Sequence, residues 1–188
     1  MKKILLLAAF FITGLSAAQS DPRFTIGSKA GFGHSFVAPY GGGFNGSWLV
    51  GLTTNYMTGE HLGFGADILY SSEGGRIELI DGSATTSEID YLRVPVRILY
   101  AMGASDAKLR PRIAAGPTFG VNMAEGTGYQ DFDFGVNASA GLNYRLVEGL
   151  WLGLDAAYYH GLMDIYGANS VTERNGNLRL ELSITFGL

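Results

Sequence analysis

Residues 131 to 146 read DFDFGVNASAGLNYRL and alternate along their whole length. Asp131, Asp133, Gly135, Asn137, Ser139, Gly141, Asn143 and Arg145 share one parity, and Phe132, Phe134, Val136, Ala138, Ala140, Leu142, Tyr144 and Leu146 the other. Successive side chains of a strand point to opposite faces, so this stretch has one wholly apolar face and one polar face of mostly short residues. Which of the two points inward separates a soluble barrel from a membrane one.

The same alternation occurs eight times. Its apolar parity carries Phe24 to Phe36, Trp48 to Tyr56, Leu62 to Tyr70, Leu92 to Tyr100, Ile113 to Val121, the opening stretch, Leu150 to Tyr158 and Leu178 to Phe186, with no charge at any of these positions. The opposite parity collects glycines, short polar residues and the charges. A soluble ligand-binding barrel would place long charged groups on its outer face and gain little from glycine there. Glycine weakens a strand unless something approaches closely, and inside an eight-stranded barrel everything does. The polar face is therefore assigned to a cramped lumen and the apolar face to lipid. Unpaired edges are not tolerated in hydrocarbon, so the sheet must close. The expected fold is an all-β, closed, up-and-down antiparallel eight-stranded transmembrane β-barrel.

Composition agrees. Of 188 residues 47% are hydrophobic, 28 are glycine and only 16% are charged, where a soluble domain carries about a quarter. Lysine occurs only at Lys2, Lys3, Lys29 and Lys108. Lys2 and Lys3 open a basic start, Ile4 to Ile12 form an apolar run, and Ser16-Ala17-Ala18 is a small-residue cleavage site, the layout of a secretory signal peptide over residues 1–18. That run is too short for a membrane-spanning helix, which needs about twenty residues. Cleavage leaves a barrel domain over 19–188 and moves the net charge from -4 to -6 by removing two lysines. Mild acidity argues against a nucleic-acid partner. The absence of cysteine excludes disulfides, thiolate metal sites and a lipid anchor at the cleavage point.

Between the alternating segments, short connections (Met57 to His61, Met102 to Lys108, Val147 to Gly149) take turns with longer ones (Val37 to Gly46, Ser72 to Glu88, Met123 to Gln130, Tyr166 to Asn177). Short periplasmic turns and long outer loops follow this rule, which puts both termini on the periplasmic side. Aromatic residues gather near strand ends in two girdles, with Trp151 the exception because it falls on the inner parity. Pro95, Pro111 and Pro117 are expected to mark local bulges.

The motifs YLRVPVRILY (91–100), LRPRIAAGPTFG (109–120), DFGVNASAGLNYRL (133–146) and YYHGLMDI (158–165), taken in order with the amphipathic last strand, resemble the PorT-like outer-membrane β-barrel family, often called porin-family proteins. The resemblance spans nearly all of the chain beyond residue 18. It implies an outer-membrane location, lipid as the surrounding partner and an assembly machinery that inserts the barrel. Such barrels usually end on an aromatic residue, whereas this chain ends Phe186-Gly187-Leu188. The family label does not imply an open pore, since eight strands enclose a lumen that side chains can fill.

No catalytic, cofactor or metal site is read from the residues. His34, His61 and His160 are scattered, and none shares a face with both a serine and a carboxylate, as a lipid-modifying hydrolase requires. Glu73, Glu78, Asp81 and Glu88 are assigned to a solvated acidic loop, with weak calcium binding as a lesser reading. The candidate site is the lumen itself, where Lys29, Asp67, Arg93, Arg97, Arg112, Asp133, Asp155, Arg179 and Glu181 form a charge network. Buried charges need partners, and the expected pairs are Lys29 with Glu181, Asp67 with Arg97, and Asp155 with Arg179, so that loss of Glu181 leaves Lys29 uncompensated. Pairing would close the hole. The chain is then a non-enzymatic membrane mount for an extracellular or periplasmic protein partner. A narrow channel for small solutes is the alternative, and a soluble lipocalin-like periplasmic carrier the least supported reading.

Overall fold

The structure is a computed structural model that describes residues 23–38, 45–78, 84–123, 129–165 and 172–188. The expected signal peptide, residues 1–18, and the middle of each long connection lie outside the described residues. Eight antiparallel strands close into one barrel in chain order: β1 (Phe24–Ala38), β2 (Asn45–Met57), β3 (Leu62–Glu78), β4 (Ala84–Ala101), β5 (Leu109–Asn122), β6 (Phe132–Val147), β7 (Leu150–Gly161) and β8 (Arg174–Gly187). Closure is made by β8 against β1, from Thr25↔Gly187 to Ala38↔Arg174. Every strand thereby has a neighbour on both sides, and no ladder edge is left to hydrocarbon.

The alternation decides which face is which. Along β6, Phe132, Val136, Ala138, Ala140, Leu142, Tyr144 and Leu146 are exposed, while Asp133 and Gly135 are buried and Asn137, Ser139, Gly141 and Asn143 are half-buried. Large apolar residues such as Phe32, Leu52, Ile68, Ile98 and Leu180 stand more than half exposed on the outer wall, at 63%, 51%, 57%, 58% and 62%. In water such a wall would be an aggregation surface; in a bilayer it is the solvated one. Aromatic side chains flank it at both ends, including the Trp48–Tyr70 pair with ring centroids 5.4 Å apart on the loop side and Phe24 beside Tyr56 on the turn side.

On the loop side the strands run well past their expected ends. β3 has 17 residues and β4 has 18, although a membrane strand needs only about 9 to 11. Their register continues unbroken from Leu69↔Arg93 through Glu73↔Ile89 to Glu78↔Ala84. Most of the expected loop 72–88 is therefore strand, a hairpin that rises beyond the lipid.

Two of the three prolines interrupt ladders without forming bulges. The β3–β4 ladder breaks around Pro95, between Ala66↔Val96 and Leu69↔Arg93. The β4–β5 ladder breaks around Pro117, between Pro95↔Thr118 and Ile98↔Ala115. Proline has no N–H to donate, and the missing rungs are the direct result. Pro111 keeps its place opposite Leu142, and its carbonyl accepts the Met102 N–H at 2.8 Å. The register shift of the barrel lies elsewhere, between Arg145 and Val147 at the tight β6–β7 turn.

The outward assignment of the apolar face has a direct check. Val136→Arg, on the lipid face of β6, is expected to destabilise the barrel by roughly 2 to 4 kcal/mol in vesicles, as read by urea unfolding. Its lumenal neighbour Asn137→Arg should perturb the protein through crowding of the interior, with a different dependence on lipid thickness.

Candidate functional site

Lumen-facing positions carry the charges. Five cations, Lys29, Arg93, Arg97, Arg112 and Arg179, meet five carboxylates, Asp67, Glu73, Asp133, Asp155 and Glu181. All nine residues expected in the lumen point into it. The tenth, Glu73, was expected in a solvated loop and is instead fully buried, at 1% exposure. The acidic-loop set thus comes apart: Glu73 faces inward, Glu88 is exposed, and Asp81 and the Glu78 side chain lie outside the described residues. Among the described residues no cluster of His, Cys, Asp and Glu could hold a metal ion.

Eight of the ten charges form one chain of alternating sign. Arg97 Nη2 lies 2.5 Å from Asp67, and the other Asp67 oxygen lies 2.7 Å from Lys29 Nζ. Lys29 is 3.3 Å from Glu181, and Glu181 is 3.5 Å from Arg179 Nε, an ion pair without hydrogen-bond geometry. Arg179 reaches Glu73 at 3.2 Å, Glu73 takes Arg93 at 2.7 Å, and Arg93 also reaches Asp133 at 3.0 Å. The chain crosses the lumen from β4 and β3 through β1 and β8, then returns to β3, β4 and β6.

Glu73 and Arg93 are its most enclosed pair. Arg93 donates through Nε and Nη2 to the two Glu73 oxygens, both at 2.7 Å, which is the bidentate geometry that fits guanidinium to carboxylate. Ser71, Asn175 and Arg179 donate to the same carboxylate at 2.6, 2.6 and 3.2 Å. The Arg93 guanidinium lies between two rings, 4.2 Å from the centroid of Tyr91 and 4.2 Å from that of Tyr159, and desolvated cation–π contacts of this kind are worth about 2 kcal/mol. Tyr159 donates its hydroxyl to Asp133 at 2.9 Å, closing the circuit. On the loop side a small apolar cluster of Val37, Ile89, Tyr91 and Ile165, with Tyr129 packed on it, covers this assembly.

The pairing departs from expectation in one respect and extends it in another. Asp155, expected beside Arg179, is bonded by Arg112 through Nε at 2.9 Å and through Nη2. These two residues belong to β5 and β7, and both register with Gly141 of the intervening strand. Arg93 and Asp133 likewise flank Gly120. A Cβ on Gly141 would come within 2.4 Å of an Asp155 oxygen, and one on Gly120 within 2.9 Å of Arg93 Nη1. The lumen is narrow enough for charges to meet across a whole strand, provided that strand offers glycine at the crossing. Lys29, expected to depend on Glu181, also holds Asp67.

The histidines do not assemble. His34 faces outward beside Phe36 and the Asn45 backbone, His61 lies in a turn near the Ala101 carbonyl, and His160 stacks on Tyr158 at 6.3 Å. Outside the strands, Glu173 donates its N–H to Asp164 at 3.4 Å; partial burial and the Asp164 charge push its carboxyl above the ordinary value.

The network occupies the middle of the barrel, where a void lined by Asp67, Arg93, Arg97, Arg179 and Glu181 measures about 20 Å³, room for roughly one water. Below it, at the turn-side mouth, a larger cavity of about 360 Å³ opens. These features define an eight-stranded membrane barrel with an apolar belt, short turns at one end and a lumen braced by side chains. The chain belongs to the outer membrane protein beta-barrel domain family, whose model matches residues 4–186, and it resides in the outer membrane in contact with its lipids. No curated protein matches its sequence. Among solved structures, Neisserial surface protein A is 12% identical with a TM-score of 0.62, covering 88% of this chain and 97% of that one. OprG of Pseudomonas aeruginosa is 15% identical at 0.55, over 90% and 96%. E. coli outer membrane protein W is 13% identical at 0.53, over 90% and 100%. These likenesses are of fold.

The two glutamates of the charge chain should respond unequally to mutation. Glu73→Gln removes the acceptor of five hydrogen bonds and leaves Arg93 only Asp133 and Arg179 only the looser contact to Glu181 at 3.5 Å, so it is expected to destabilise the barrel by about 3 to 5 kcal/mol. Glu181→Gln should cost less, because Lys29 keeps Asp67 and Arg179 keeps Glu73. Urea unfolding of both variants in vesicles measures the difference.

Proposed function

We propose that this barrel is a non-enzymatic membrane mount of the PorT-like kind. In this reading a signal peptide over 1–18 is removed on export, the assembly machinery inserts 19–188 despite the terminal Leu188, and the barrel holds its β3–β4 hairpin and neighbouring loops for an extracellular protein partner. The observation that carries the reading is the continuous eight-charge chain, which runs across the lumen around a void of about 20 Å³. A buried network of this connectivity is expensive to break, because each missing partner strands a charge. A conducting pore would need those partners to separate. The three histidines lie apart, on β1, in the β2–β3 turn and at the end of β7, an arrangement that does not favour a lipid-modifying enzyme.

The alternative, a narrow passive channel for small solutes, draws on the open cavity at the turn-side mouth, which is half of a path. Planar-bilayer recording separates the two. The mount reading expects no steady conductance from the wild-type protein. It expects current to appear in the double variant Glu73→Ala with Arg93→Ala, which removes a cation and an anion together and empties the tightest level. Large, stable wild-type currents would reject it in favour of the channel.

A further inference from the structure

One arc of the outer wall changes character at the loop end of β7, β8 and β1. Two rows of outward residues cross these three strands: His34, Leu178 and Tyr158, and beyond them Phe36, Gly176 and His160. Arg174 is the next outward residue of β8, opposite Ala38. The Phe36 ring lies across Gly176, where a Cβ would come within 2.4 Å of it, and the His34 ring is 5.8 Å from that of Phe36. Tyr158 and His160 stack at 6.3 Å, with the tyrosine hydroxyl 3.4 Å from His160 Nδ1. Aromatic rings thus frame a shelf made by Leu178 and Gly176, with Arg174 at its outer edge.

Charge singles out the same arc. Arg174 is exposed, and among the residues whose side chains are described it is the one cation of the loop-side rim. No carboxylate of the described residues pairs with it; Glu173 precedes it in the chain, and Asp164 accepts the Glu173 N–H. Segments 39–44 and 166–171, the connections that lead out of β1 and β7, contain no acidic residue. On the far side of the barrel the loop end of β4 carries Glu88 and Asp90 on its outward parity, so the outward strand ends are positive on one arc and negative on the other. An arginine at the level of an aromatic belt lays its stem along apolar surface and holds its fork in the headgroup layer.

We propose that this shelf binds a lipid of the outer leaflet by its phosphorylated headgroup. The phosphate takes the Arg174 fork, which matches it in charge and in donor geometry. With the Tyr158 hydroxyl donating to Nδ1, His160 carries its proton on Nε2 and adds a second donor. An acyl chain then runs down the wall over Leu178 and Leu180, both more than half exposed. A lipid is the occupant because the shelf is continuous with the apolar wall that the bilayer already covers, and because the one outward cation of this rim complements a phosphate. The site stands independently of whether the lumen conducts.

Native mass spectrometry of the protein released from detergent micelles measures bound lipid directly. Dioleoyl phosphatidic acid should be retained saturably by the wild-type protein. Arg174→Gln, an exposed position at a strand end, should lower that affinity by about fivefold, the weight of one basic residue beside an anionic lipid headgroup. Lys108→Gln, at the turn-side rim, should leave it unchanged, and dioleoylglycerol, which has the same chains and no phosphate, should bind wild type and Arg174→Gln alike. Equal affinity of wild type and Arg174→Gln for phosphatidic acid, a loss with Lys108→Gln as large as that with Arg174→Gln, or full displacement of the lipid by equimolar inorganic phosphate would each overturn the site.

Discussion

The bidentate bridge between Arg93 and Glu73 is the interaction on which the interior depends. Both groups are at least 98% buried, and neither could remain charged there alone. Five hydrogen bonds converge on the Glu73 carboxylate, and they arrive from β3, β4 and β8. One carboxylate therefore ties together three strands that include opposite walls of the barrel. Two tyrosine faces and an apolar cap keep water from the guanidinium, and exclusion of water strengthens every contact beneath.

Outside, the requirement is the reverse. Hydrocarbon offers no hydrogen bonds, so the wall closes its ladder and presents only apolar groups between aromatic girdles. The ladder rungs missing around Pro95 and Pro117 flank β4 on its two sides. The same strand carries Arg93 and Arg97 into the charge chain, so its lumenal side is anchored where its backbone pairing is thinnest.

The fold was legible because period two admits little ambiguity over eight segments, and the lipid side followed from glycine and charge sharing one face. The loop-side strand ends were not, because Ser72 and Gly74-Gly75 fall in the stretch assigned to a loop while they pair in register with β4. That single misreading hid Glu73. Two signals in the sequence would have found it: it continues the inward parity of Asp67, Leu69 and Ser71, and the expected network held five cations but four carboxylates. The partner of Asp155 was out of reach for another reason. Counting depth along adjacent strands omits the crossings over Gly120 and Gly141, which appear only once the barrel radius is known. Trp151 was singled out by its parity, but the cavity around it exists only in three dimensions.

The closed lumen is the central claim, and sided thiol labelling tests it most directly, since the chain has no cysteine of its own. In vesicles the direction of insertion is read from Glu88→Cys on the outer hairpin, which an added impermeant reagent reaches at once only where the loops face out, and protein in that orientation carries the test. Asn143→Cys, in the turn-side cavity, should resist a small membrane-impermeant thiol reagent added outside and react once the vesicles are dissolved, while Glu88→Cys reacts at once. If Asn143→Cys were labelled from outside as fast as in dissolved vesicles, with Glu88→Cys still reacting at once, the brace would not close the barrel.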